Sequence, residues 1–209
     1  MIGILDYGSG NLFSISNALK KINLDQKYIK SLDDFKDVKT IILPGVGSFK
    51  ECIKKLKKKN FYDYLIKCSN TEKKLVGICL GMQMLLETSE EDGICEGLKL
   101  IKGKVKYIKN EIHKNDFNLS IPNMGWSELY LKDTKNNNLF KDLKNKEFYF
   151  AHSLICKVEE KECELAFSKF GNLTFCSMIK KNNIYGIQFH PEKSGENGLK
   201  LLKNIILHG

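Results

Sequence analysis

Cys79 lies in the run Val76-Gly77-Ile78-Cys79-Leu80-Gly81-Met82-Gln83, and far downstream the chain reads Gly186-Ile187-Gln188-Phe189-His190-Pro191-Glu192. A cysteine, a histidine and a carboxylate are the parts of a dispersed nucleophilic triad, in which the thiolate attacks, the imidazole moves the proton and the carboxylate orients the imidazole. The thiolate matters because a free thiol, with a pKa of about 8.5, is mostly protonated at neutral pH. The first run passes from buried-strand residues (Leu75, Val76, Ile78) through small residues into a helical pattern (Met82, Leu85, Leu86). Cys79 is therefore expected, exposed, at the tip of a strand-to-helix turn, where the helix N-terminus favours its charged form. Gly77 and Gly81 flank it and suit a tight turn where side chains would block a substrate.

His190 follows an alternating strand, with Ile184, Gly186 and Gln188 on one face and Tyr185, Ile187 and Phe189 on the other, and Pro191 stops that strand. Glu192, two residues on, is close enough to hold the imidazole and stabilise its protonated form. Free cysteines are most often small buried hydrophobes and lone histidines are usually structural. The two segments together, and neither alone, carry the triad reading.

The elements that must position these groups alternate in the N-terminal half. A strand at 2–6 precedes a helix from about Asn11, with Leu12, Ile15, Leu19 and Ile22 at helical spacing. A short strand near Tyr28 and Ile29 follows, then a strand at 40–43, the turn Pro44-Gly45-Val46-Gly47, a helix through Cys52, Ile53 and Leu56, and a strand at 75–78. This order implies an α/β fold of flavodoxin-like type, a central mostly parallel sheet flanked by helices. Such sheets bind ligands at the carboxyl ends of their strands. After Leu98 come strand-like runs at 100–108, 126–131, 148–158, 165–170, 173–179 and 185–189, read as added antiparallel strands. A final helix at 195–207 turns Leu199, Leu202, Ile205 and Ile206 to the core. Asn136-Asn137-Asn138 reads as a turn.

The chain has 209 residues, enough for one domain spanning 1–209 with a sizeable core. Hydrophobic content of 42% and charged content of 28% belong to a soluble globular protein. No apolar run approaches the roughly 18 residues of a membrane span, and Met1 leads straight into Ile2-Gly3-Ile4-Leu5, so no membrane association and a cytoplasmic location are expected. Seven cysteines at scattered positions (52, 68, 79, 95, 156, 163, 176) offer neither a disulfide framework nor a zinc pair, which fits reduced thiols. No metal or cofactor is expected. The net charge of +9 raises the question of nucleic acid, yet the densest run, Lys54-Lys55-Leu56-Lys57-Lys58-Lys59, reads as the solvated face of a helix, without an aromatic or recognition-helix signature. No nucleic-acid partner is expected; the basic surface suits a phosphorylated substrate or an acidic partner.

Acyl chemistry at Cys79 needs a site for the tetrahedral oxygen. Pro44-Gly45-Val46-Gly47 is a candidate, because glycines let backbone N–H groups face an oxyanion and the segment ends a neighbouring strand on the edge of the sheet that carries Cys79. Taken alone it is a plain glycine turn.

At this point the chain resembles the class I (triad) glutamine amidotransferases, and within them the glutaminase subunits of imidazole glycerol phosphate synthase in histidine biosynthesis. The likeness covers nearly the whole length: Asp6-Tyr7-Gly8-Ser9-Gly10-Asn11-Leu12, Leu43-Pro44-Gly45-Val46-Gly47, Gly77-Ile78-Cys79-Leu80-Gly81-Met82-Gln83, Pro122-Asn123-Met124-Gly125-Trp126, Phe150-Ala151-His152-Ser153, and Gln188-Phe189-His190-Pro191-Glu192-Lys193-Ser194. The resemblance implies glutamine hydrolysis through a γ-glutamyl thioester on Cys79, with His190 as general base and acid and Glu192 orienting it. It implies an oxyanion and glutamine-binding set of Gly45, Val46, Gly47, Leu80, Gln83, Ser153 and Leu154. It further implies a heterodimer with a (β/α)8 barrel synthase that receives the ammonia, with Asn11, Trp126 and Lys193 at or near the interface. The alternative for Trp126 is a core aromatic; the interface reading is favoured over it, because indoles are enriched at binding hot spots.

The chain departs from the family pattern in three places. Asn123 stands where histidine is usual before Met-Gly-Trp, Ser127 where asparagine usually follows, and Leu154 where an aromatic is common after Ser153. The triad is untouched, and the departures bear on the pathway. Related glutaminases supply ammonia for acetamidino groups on surface sugars, which is the alternative reading. A cysteine peptidase-like hydrolase and a basic nucleic-acid-binding module are the more distant ones.

Overall fold

The computed structural model describes residues 1–112, 119–133 and 138–209. The N-terminal half runs β1 (Ile2–Leu5), α1 (Leu12–Lys21), β2 (Gln26–Ile29), β3 (Thr40–Leu43), α2 (Phe49–Lys58), α3 (Phe61–Cys68), β4 (Lys74–Ile78) and α4 (Leu80–Met84). There follow β5 (Leu86–Ser89), β6 (Cys95–Glu96), β7 (Ile101–Tyr107), β8 (Asn123–Glu128), β9 (Tyr130–Leu131), β10 (Glu147–His152), β11 (Leu154–Val158), β12 (Glu164–Phe170), β13 (Leu173–Lys181), β14 (Ile184–Ile187) and α5 (Gly195–His208).

Local chemistry explains the helices. Asn11 caps α1, its side-chain oxygen accepting from the Ser14 N–H at 3.3 Å, while Lys20 and Lys21 meet the negative end of the dipole. Ile15, Ala18 and Leu19 form the buried stripe. In α2 the buried face is Phe49, Cys52, Ile53 and Leu56, which leaves the intervening lysines facing water, as the sequence pattern requires. α5 buries Leu201, Leu202, Ile205 and Ile206; Leu199, expected in the core, is only partly buried at its edge. The segment α3 shows no periodic signal strong enough to be read in advance; Phe61 and Leu65 tie it to the core.

The main sheet has the order β2-β1-β3-β4-β14-β13-β11-β7-β5-β6, with β12 on β13 and β9 on β12. From β2 to β14 every pairing is parallel. Residues alternate between two cores: Leu5, Ile41, Leu43 and Leu75 pack with α2, α3 and α4, while Ile4, Ile42 and Val76 pack with α1 and α5. A strand buried on both faces reads as a continuous apolar run, which is why β1 and β3 were legible.

Several expectations need correction. β14 was read among the antiparallel additions, but it inserts beside β4 and pairs with it in parallel, turning antiparallel only toward β13. β5 and β7 also pair in parallel. The expected helix through Leu85 and Leu86 ends at Met84, and Leu86 opens β5. A run of methionines and leucines does not show where a helix ends, because either period buries it. The run read at 148–158 divides at Ser153 into β10, which pairs with β8 as a separate two-stranded ribbon among the described residues, and β11 in the main sheet. Of the expected asparagine turn, residues 136–137 lie outside the described residues, and Asn138 starts a 3-10 turn to Phe140.

Candidate active site

The strand β4 ends one residue before Cys79, whose φ of +55° and ψ of −110° lie where residues with a side chain are rarely found. Strain of this kind, about 1–3 kcal/mol, persists only when the surroundings over-determine it. Here the Cys79 N–H donates to the Ile187 carbonyl at 2.7 Å and its carbonyl accepts from the Gln83 N–H at 3.2 Å. The flanking glycines serve packing and not substrate access. A Cβ on Gly77 would sit 2.6 Å from the Gly81 carbonyl oxygen, so the pair lets the start of α4 lie directly on its own strand. Nor is the thiol exposed as expected: Cys79 is 7% accessible, at the floor of a cavity. With only five residues, α4 contributes little dipole, so other groups must supply the polarity at the sulfur.

His190 follows β14 at the same end of the sheet. Its backbone N–H donates to the Tyr149 carbonyl at 2.8 Å, and Pro191 opens a 3-10 turn, Pro191–Lys193, that folds Glu192 back. His190 Nδ1 lies 2.8 Å from Glu192 Oε1, and the Glu192 side chain is 1% accessible. Burial pushes the imidazole pKa down, but hydrogen bonds and charge from Cys79 on one side and Glu192 on the other outweigh it, and the pKa is held up to about 10. An imidazolium between a sulfur and a carboxylate can act as a proton donor at neutral pH. The arrangement has the parts of nucleophilic acyl chemistry: a sulfur, an acid beside it, and a fixed orienting group.

The cavity over Cys79 has a volume of about 380 Å³. Val46, Gly47, Leu80, Gln83, Ser153 and Leu154 line it with Cys79 and His190. Gly45 sits just beneath, where a Cβ would meet the Leu80 Cβ at 2.7 Å. The Val46 carbonyl is held by the Ser9 hydroxyl at 2.8 Å and the Cys52 thiol at 3.7 Å, and the Tyr7 hydroxyl donates to the Pro44 carbonyl at 2.7 Å. The segment after β3 is thus tied to the loop after β1. The first N–H groups of α4 have no acceptor within the helix, which leaves the Leu80 N–H available beside the sulfur. Lys193 lines the same cavity at its rim, its ammonium 5.8 Å from the Tyr149 ring centroid. Trp126 is 56% exposed and stands edge-on to Tyr149 at 6.2 Å, so it is a surface residue and not a core aromatic. Asn11 is committed to capping α1.

The profile of the family described as "Glutamine amidotransferase class-I" matches residues 3–208. This chain belongs to that family. Among its relatives, "Imidazole glycerol phosphate synthase subunit HisH" of Leptospira borgpetersenii is 43% identical over 206 residues, covering 98% of each chain. A Campylobacter jejuni protein described as "Imidazole glycerol phosphate synthase subunit HisH 1" is 43% identical over 208 residues, 99% of each. Among solved structures, a "Crystal structure of glutamine amidotransferase" superposes with a TM-score of 0.73 at 16% identity, over 98% of this chain and 96% of that one. "Structure of PurLQS from Thermotoga maritima" gives 0.71 at 17%, over 98% and 96%. At those identities the superpositions speak for the fold alone.

Sequence reasoning missed several groups around the amidotransferase cavity. Glu91 lines it, with Oε2 accepting from the Phe49 N–H at 2.6 Å; it sits in the acidic turn Glu90-Glu91-Asp92, which carries no motif. His152, Pro122 and Met124 also line it, and all three lie inside or beside runs that had been noted for other residues. The amide of Asn123, at a departure from the family pattern, lies 3.0 Å from His152 Nε2. His152 Nδ1 is 2.8 Å from the Leu154 carbonyl, which can only accept, so the proton is on Nδ1 and Asn123 donates to Nε2. Burial, against the pull of the Leu154 carbonyl, pushes the His152 pKa down to about 4. Two histidines on one cavity thus have opposite states, one held charged and one held neutral.

Proposed function

We propose that this chain is the glutaminase subunit of an imidazole glycerol phosphate synthase and that Cys79, His190 and Glu192 are its catalytic triad. The observation that carries the chemistry is His190 held between Cys79 and Glu192, 2.8 Å from the carboxylate, at the floor of a cavity of amino-acid size. The branch is supported by full-length relatives bearing that subunit name. Neither of these relatives is named for surface-sugar modification.

In the proposed reaction the Cys79 thiolate attacks the side-chain carbonyl carbon of glutamine, and the carbonyl electrons move onto oxygen. Backbone N–H groups at Val46–Gly47 and Leu80 would face that oxygen, where each well-placed donor is worth about 3–4 kcal/mol in the transition state. His190 gives its proton to the departing nitrogen, which leaves as ammonia and a thioester on the sulfur. Water then adds to the thioester carbon, His190 takes its proton, and the sulfur leaves with release of glutamate. Glu192 keeps the imidazole oriented and offsets its charge throughout. Gln83, Ser153 and Leu154 would hold the amino-acid end of the substrate.

The partner in this proposal is a (β/α)8 barrel synthase that receives the ammonia before it is protonated. Val46, Met124 and Trp126 are exposed large apolar side chains; Val46 and Met124 line the cavity together with Lys193, and Trp126 follows Met124 by two residues on β8. That is the composition of an interface core, in which an indole anchors and the rim is charged. The test is glutamate release by the full chain mixed with its synthase. Cys79→Ala is expected to abolish it while the complex still forms; turnover retained by Cys79→Ala would remove Cys79 as nucleophile.

A further inference from the structure

We propose that Gln188 is a further catalytic residue of this site, its side-chain amide N–H donating to the Cys79 sulfur and holding it as a thiolate. The inference rests on the reading of Cys79 as nucleophile. It is carried by a buried chain of hydrogen bonds in which one carbonyl dictates the direction of every other link.

That carbonyl belongs to Leu154. His152 Nδ1 lies 2.8 Å from it and Gln83 Nε2 lies 3.2 Å from it, and since a carbonyl only accepts, both neighbours must donate. On one side this fixes the neutral tautomer of His152 and the direction of the Asn123 amide. On the other, one hydrogen of the Gln83 amide goes to Leu154 and the second to Gln188 Oε1 at 3.1 Å. With its oxygen committed, Gln188 has only its NH2 left to face Cys79, and Nε2 stands 3.7 Å from Sγ. A reversed Gln188 amide would set two NH2 groups against each other and bury an unanswered donor, a penalty of the size that decides amide orientation. Asn123, His152, Gln83 and Gln188 are all buried, and Gln188 is fully so, which shields the chain from competing water.

The two protonation states of the sulfur meet different partners. As a thiol it can donate to the Ala151 carbonyl, 3.9 Å away. As a thiolate it can accept from the Gln188 amide on one side and from His190 on the other. Hydrogen bonds to a charged acceptor are about twice as strong as neutral ones, so the amide favours the thiolate. The short α4 cannot supply this polarity, and Gln188 supplies it instead. Gln188 is the first residue after β14, and Gly186, two residues earlier, lets α4 lie close to the strand there: a Cβ on Gly186 would meet Met82 of α4 at 2.7 Å. Gln83 and His152 act as positioning residues, through Gln188 and the Leu154 carbonyl.

The experiment is the pH dependence of Cys79 carboxamidomethylation by iodoacetamide, read by mass spectrometry on the full chain, for wild type and Gln188→Met. Loss of the amide is expected to move the midpoint up by about one pH unit, roughly tenfold less thiolate on the acid side. In the complex with the synthase, kcat falls about tenfold while KM for glutamine stays within about twofold, since Gln188 stabilises the sulfur and does not reach the substrate. An unchanged alkylation profile in Gln188→Met overturns the proposal. A second measurement on the wild-type chain guards against a variant that fails to fold: the Gln188 side-chain amide proton resonances should move with pH in step with the alkylation midpoint, and their failure to move is also decisive against it. Cys79→Ala separates the two readings. Turnover retained in Cys79→Ala sinks the nucleophile assignment, while a dead Cys79→Ala beside a wild-type alkylation profile in Gln188→Met sinks the Gln188 assignment alone.

Discussion

Ile78 and Ile187 are register partners in adjacent parallel strands, and one residue on, the Cys79 N–H donates to the Ile187 carbonyl at 2.7 Å. This one relationship assembles the site. Cys79 and Gln188 are 109 positions apart in the chain, yet they leave the sheet side by side, and His190 follows within two residues. The carboxyl end of a parallel sheet collects such groups because every strand there hands over to a loop on the same edge.

Removing the charge of Glu192 tests the electrostatics. His190 carries a pKa raised to about 10 against an ordinary value near 6.5, so the stability it contributes is fully present below about 6.5 and is lost as pH rises through about 10. In Glu192→Gln the imidazole should titrate at lower pH, by histidine NMR, and the alkaline decline in stability should shrink. Turnover in the complex is expected to fall about 10- to 100-fold. An unshifted His190 would show that Cys79 alone holds the proton.

His152 makes the opposite prediction at acid pH. Its folded pKa is depressed to about 4, so the neutral ring stabilises the fold above about 6.5, and that contribution is lost as pH falls toward about 4. The difference corresponds to about 3 kcal/mol at the acid limit. Urea titrations of wild type and His152→Gln at pH 7 and pH 4.5 should show a smaller acid loss in the variant. Equal losses would assign the acid sensitivity to other groups.

Gly77→Ala probes the turn. The added methyl would lie 2.6 Å from the Gly81 carbonyl oxygen, a backbone atom that cannot swing aside. Overpacking of this kind costs about 1–3 kcal/mol, and for chains of this size each kcal/mol lowers Tm by about 2–4 °C. Because the strain falls two residues from Cys79, activity should drop further than stability does. A variant with wild-type turnover would mean that the elbow tolerates rearrangement.

Trp126→Ala addresses the proposed interface. The indole is 56% exposed and stands edge-on to Tyr149, so the isolated chain should lose little stability. As an interface anchor it should be worth about 2 kcal/mol, or roughly a 30-fold rise in Kd for the synthase by calorimetry. Undiminished affinity would move the interface elsewhere on the surface.

What was legible in the sequence was local. The runs at β1, β3 and β4 are continuous and apolar because those strands are buried on both faces, and the helical stripes of α1 and α2 repeat every three to four residues. The small residues around Cys79 and the proline after His190 announce a turn and a strand end, so the sequence by itself determined which side chains stand at strand ends and which chemistry they carry. Tertiary structure alone decided which strands lie side by side. β14 was taken for an antiparallel addition, since nothing in Ile184 to Ile187 records its partner; that choice depends on two cores closing over both faces of the sheet at once. The same holds for Glu91, for the neutral His152, and for the Gln188 amide at the sulfur. Glu91 accepts from the distant Phe49 N–H, and the directions at His152 and Gln188 follow from the buried Leu154 carbonyl, which no local pattern reveals.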